Sequence, residues 1–91
     1  MPYIPKHKRE RLDTILRFLA SRIEGPGELN YAVTFLLVRY ILYCGGLSYG
    51  TSALARGVLK DVSDEFYRRV MHTYENKKCF SHGDVYDELL K

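Results

Sequence analysis

Arg68 and Arg69 stand beside Tyr67, with Tyr74, Lys77 and Lys78 following within ten residues. A guanidinium offers forked donors that match a phosphate, and a Tyr ring offers a flat face on which a base can stack. A molecule with both features is nucleotide-like. Arg68 and Arg69 are neighbours on one helix, so only one can face a given ligand, and the other is free to pair with Glu65. Asn30 and Tyr31, at the start of an earlier helix, would read polar edges. Lys77 or Lys78 would add diffuse attraction, and Asp84 with Tyr86 would close the pocket if the tail folds back. A plainer role competes: Tyr67 and Tyr74 pack the core while both Arg lie on a solvated face.

Other chemistries find less support. His7, His72 and His82 have no close ligand spacing, and Cys44 and Cys79 are 35 positions apart, so neither a metal nor another cofactor is expected. A nucleophile elbow and a Walker loop are both missing from the sequence. The Gly45-to-Gly50 stretch has glycines suited to a phosphate cradle but no Lys within it, and reads as a turn followed by a helix cap. Asp61 and Glu65 share a helical face, as magnesium-binding carboxylates do, yet Asp64–Arg68 and Glu65–Arg69 at i,i+4 predict an ion-paired surface instead. A second basic set, Lys6, Lys8, Arg9 and Arg11, together with a net charge of +3, argues only weakly for an anionic partner. Binding is therefore expected rather than catalysis, with a protein–protein or structural module as the alternative and nucleic-acid binding behind it.

The elements that would hold these residues are helical. Pro2 and Pro5 make residues 1–5 an extended arm, with Tyr3 and Ile4 as an apolar clip. Leu12, Ile15, Leu16, Leu19 and Ile23 form a narrow stripe that predicts a helix over about 6–23. Gly25-Pro26-Gly27 ends it. A second helix over about 28–43 carries Leu29, Ala32, Val33, Leu36, Leu37 and Tyr40 on one broad face. Phe35 and Val38 lie on its other side, so this helix needs cover from more than one direction, and at least a homodimer is expected with Phe35 and Val38 in its interface. Ser48 caps a third helix over about 49–75, with Ala55, Val58, Leu59, Val62, Phe66, Val70 and Tyr74 as its stripe. Gly57 is placed to let another helix approach, and Asp61 to Asp64 could kink or divide this segment. Residues 76–91 read as a polar tail: a turn-like stretch to Gly83, then a short helix capped by Asp84 with Val85, Leu89 and Leu90 as contacts. The fold class is all-α, a small bundle of three main helices in one domain.

Composition is ordinary for a globular chain, with 46% hydrophobic and 27% charged residues in 91. Two Cys make no disulfide framework, and the first residues lack an export h-region. The apolar stretch 31–44 is too short to span a bilayer. An intracellular protein with reduced thiols and no membrane partner is expected.

Met1-Pro2-Tyr3-Ile4-Pro5, Gly27-Glu28-Leu29-Asn30-Tyr31, Gly46-Leu47-Ser48-Tyr49, Glu65-Phe66-Tyr67-Arg68-Arg69, Tyr74-Glu75-Asn76-Lys77-Lys78 and Gly83-Asp84-Val85-Tyr86 occur in this order. Together they resemble the signature of a small protein family common in tailed bacteriophages and prophages. The sequence departs from that signature at residues 50–56, at His72-Thr73 and after Tyr86. The resemblance implies a context: a phage or prophage accessory protein in the host cytoplasm, with a host protein or a nucleotide-like signal of host defence as its partner. Unrelated small phage proteins that assemble into helical oligomers sequester such signals, and sequestration is the activity expected by analogy.

Overall fold

The computed structural model describes residues 1–90. Helices α1 (Lys6–Arg22), α2 (Pro26–Tyr43), α3 (Tyr49–Phe66), α4 (His72–His82) and α5 (Asp87–Leu90) carry the chain, and a π-helical segment, Tyr67–Met71, joins α3 to α4. The all-α class follows, with no strand among the described residues. None of these helices is long and apolar enough to cross a membrane. The chain divides into two compact units, residues 1–58 and residues from Leu59 onward, the boundary falling inside α3.

The first unit is punctuated by local signals that agree with its sequence. Arg9 Nε donates to the Ile4 carbonyl at 2.7 Å and ties the arm to the first turns of α1. Pro26 occupies the first turn of α2, where its missing N–H costs nothing. Glu28 bends back to accept the Glu24 N–H at 2.9 Å. At the other end of α2, the Gly46 N–H reaches the Ile41 carbonyl at 3.0 Å and the Gly45 N–H reaches the Leu42 carbonyl at 3.2 Å. These bonds form a Schellman closure, which needs a left-handed residue just past the helix. Gly45 supplies it at φ 102°.

Ser48 then starts α3 with a reciprocal cap. The Thr51 N–H donates to Ser48 Oγ at 3.1 Å, and the Ser48 N–H donates to Thr51 Oγ1 at 2.9 Å. The Thr51 hydroxyl lies 3.0 Å from the Gly46 carbonyl, so turn and cap are one hydrogen-bonded piece.

The third helix departs from expectation in three ways. Asp61 to Asp64 do not interrupt it; α3 stays regular through Phe66, and the break is the π segment that follows. Residues 76–82 are not a turn but most of α4, since the two Lys are good helix formers and neither Gly nor Pro interrupts the run. Gly83, at φ 97°, is the stop. Finally, Val85, Leu89 and Leu90 remain exposed, so α5 is a single turn without the expected contacts.

The amphipathic stripes form at the predicted spacing, but they are not covered. Ala55, at 7% exposure, is the one buried side chain among the described residues. Leu12, Leu16, Leu36, Val38 and Val62 are each about half exposed or more. A Cβ built on Gly57 meets nothing within 4 Å, so within the first unit no helix uses the approach that Gly57 was expected to permit.

Candidate functional site

A cavity lies in each unit, and the two differ in chemistry. In the second unit α4 repeats His72, Glu75, Asn76 and Cys79 at steps of three and four, which sets them on one face. Past the Gly83 stop, the Tyr86 N–H donates to Asp84 Oδ1 at 2.8 Å, a turn that fixes the chain beside that face. The π segment supplies the remaining wall. In an α-helix, residues five apart point ~140° away from each other. Here the backbone closes five residues apart, His72 N–H to the Tyr67 carbonyl. The Tyr67 and His72 rings consequently meet edge to face, 6.1 Å apart at 60°. The space enclosed is about 600 Å³, lined by Tyr67, His72, Glu75, Asn76, Lys78, Cys79, His82, Asp84 and Tyr86 among others. Lys78 Nζ lies 5.6 Å from the centroid of the Tyr74 ring, so Tyr74 steadies the cation without itself lining the cavity.

Four of the residues expected to bind a ligand thus gather at one place: Tyr67, Lys78, Asp84 and Tyr86. Arg68, Arg69, Tyr74 and Lys77 are not in its lining. Arg68 is engaged instead by Glu65, with Nη2 at 2.6 Å and Nε at 3.1 Å from Oε1. This i,i+3 fork replaces the expected Asp64–Arg68 and Glu65–Arg69 pairs, and Asp64 takes Lys60 at 3.2 Å. Asn30 and Tyr31 belong to the first unit. The Thr34 hydroxyl donates to the Asn30 carbonyl at 2.8 Å, and Tyr31 turns toward Phe35.

His72, Glu75, Asn76, Cys79 and His82 were missed as site residues. Their three-and-four spacing was the available signal. It went unread because a polar stretch between a Tyr-rich helix and a glycine looks like a turn. Among the described residues no group of three or more His, Cys, Asp or Glu is placed to hold a metal ion.

The cavity of the first unit is a notch of about 530 Å³ where the end of α1 meets the start of α2. Leu19, Ile23, Tyr31, Ala32, Phe35 and Leu36 line it, with Arg22 and Glu28 at its edge. The Phe35 ring is held from both helical turns beside it. Tyr31 is 6.1 Å away at 40°, and the Arg39 guanidinium is 5.1 Å from the ring centroid. Phe35, expected on the far side of α2, therefore shares a surface with Ala32 and Leu36. At the end of α2 a hydrogen bond with Cys44 raises the Tyr40 phenol above its ordinary range. Cys44 and Cys79 are both free thiols.

A family model described as a domain of unknown function, DUF6899, matches residues 1–85. The chain belongs to this family. No curated protein and no solved structure gives a significant match. The DUF6899 match spans the first unit and the second as far as Val85, one residue short of Tyr86 in the second cavity, and it assigns chemistry to neither, so a functional reading has to come from the side chains themselves.

Proposed function

We propose that the chain is a binding protein whose second unit takes a small anionic, nucleotide-like ligand. The observation that carries this reading is the cavity between α4 and the Asp84–Tyr86 turn. It brings two Tyr rings, two His, one Lys and one Asn amide around a space in the size range of small-molecule sites. Tyr86 or Tyr67 offers a stacking face, Lys78 meets phosphate, and Asn76 reads a polar edge. Glu75 and Asp84 suit ribose hydroxyls or exocyclic amines, which donate hydrogen bonds, and they disfavour a bare polyphosphate. The ligand class is accordingly a nucleoside with few charges rather than a triphosphate. A phage accessory role in the host cytoplasm, with the ligand a host signal held out of circulation, belongs to the same proposal and is supported by the motif resemblance.

Calorimetry with AMP, ADP-ribose and a cyclic dinucleotide, against inorganic phosphate alone, tests it. At least one nucleoside ligand should bind and phosphate alone should not. Lys78→Ala should weaken binding about tenfold or more, since hydrogen bonds to a charged group contribute ~1.5–3 kcal/mol. Arg68→Ala should do less, because Glu65 already holds that guanidinium. Binding left unchanged by both Lys78→Ala and Tyr86→Ala would refute the site. A second reading, a protein-interaction module without a small ligand, is favoured by a separate observation: the wide exposure of apolar side chains on α1 and α2.

A further inference from the structure

We infer that the α1–α2 face is completed by a second copy of this chain, and that folding and self-association are one event. This inference does not depend on the ligand proposal. The first unit is short of a core: within residues 1–58 only Ala55 is buried, while α2 presents Leu29, Leu36, Val38 and Leu42 at about half exposure. Apolar side chains that are only half withdrawn from water in the monomer do little to offset the entropy of ordering its helices.

Two features point to a copy of this chain as the occupant. The surface is concave and mostly apolar, a notch of about 530 Å³ whose walls are Leu19, Ile23, Tyr31, Ala32, Phe35 and Leu36. It therefore takes apolar helical side chains of the kind α2 itself displays beside it. Its edge carries one charge of each sign, Arg22 and Glu28. A two-fold pairing sets the same patch against itself, so it needs both signs within the patch. A purely acidic or basic partner would leave one of them opposed by a like charge.

The test uses the full chain without ligand. Sedimentation equilibrium and thermal melts followed by circular dichroism are run from low micromolar to high micromolar concentration. The melting temperature should rise with concentration, and helix signal and dimer should disappear together on dilution. A folded monomer with a concentration-independent melt would overturn the inference. So would a chain unfolded at every concentration, since a copy of itself would then not be what completes it. Leu36→Ala locates the surface. It should raise the dimer dissociation constant about thirtyfold or more while folding returns at high concentration, as expected for truncating a buried Leu. Phe80→Ala, on an α4 residue that is 94% exposed, should leave the constant unchanged. A Leu36→Ala chain that loses stability without a change in concentration dependence would show that the pairing surface lies elsewhere.

Discussion

The two units solve different problems with the same secondary structure. Residues 1–58 place Leu, Ile, Val and Phe at helical spacing and close their turns with glycine and a Ser–Thr cap, so the helices are well specified and their apolar faces are not. From Leu59 onward the face of α4 that matters is polar: His72, Glu75, Asn76 and Cys79 in place of a leucine stripe. An apolar face exposed to water demands a partner that removes it from water. A polar face around a cavity is stable when wet and can wait for a ligand. The contrast between an apolar notch and a polar-lined cavity within one short chain separates the stretch proposed to assemble from the stretch proposed to recognise a ligand.

A charge in the notch is the harshest way to break this contrast. Phe35→Asp would set a carboxylate where a ring sits between Tyr31 and Arg39. Burying it in a paired face costs several kcal/mol, so dimer and helix signal should vanish together at micromolar concentration. The matching change in the other unit, Tyr86→Ala, should leave helix content and association intact and cost the nucleoside ligand ~1–3 kcal/mol of stacking. If instead Tyr86→Ala unfolds the chain and Phe35→Asp does not, the division of labour is reversed.

A buried position gives a smaller effect. Ala55, at 7% exposure, is the buried side chain among the described residues. Ala55→Leu should destabilise by ~1–3 kcal/mol through overpacking. A neutral or stabilising result in thermal melts would mean that α3 moves away from that contact at little cost. Loss of the cap by Ser48→Ala should cost ~1 kcal/mol, because it leaves the Thr51 N–H without its oxygen.

Sequence periodicity made the first unit legible almost to the residue. The stripe from Leu12 to Ile23, Pro26 in the first turn of α2, the Gly45-Gly46 stop and the Ser48 cap are each written in residue types that have one local use. The second unit was legible only in outline. The π segment has no compositional mark, since Tyr67 to Met71 could equally continue an α-helix, and it alone brings Tyr67 against His72. Of the residues expected to meet a ligand, Tyr67, Lys78, Asp84 and Tyr86 line one cavity, where aromatic and charged residues near a turn are the chemical signal. The partner of Arg68 was not legible, because a one-residue difference in helical pairing, Glu65 to Arg68 rather than to Arg69, decides which guanidinium the carboxylate holds. Helix winding at that resolution follows from backbone hydrogen bonds that side-chain types do not encode.

Gly57 gives the finest discrimination. A Cβ at this position meets nothing within 4 Å, and its φ is not in the left-handed region. In a chain acting alone, Gly57→Ala should stabilise α3 by ~0.5–1 kcal/mol, the ordinary gain in helix propensity. In a dimer paired through the α1–α2 notch the same gain is expected, because Gly57 lies outside that notch. The melting temperature should therefore rise by a few degrees at every concentration, with the slope against concentration unchanged. A fall in melting temperature that steepens on dilution would mean that a partner helix lies against Gly57. The second copy would then meet α3 as well as α1 and α2, and the pairing surface would have to extend along α3 to include it.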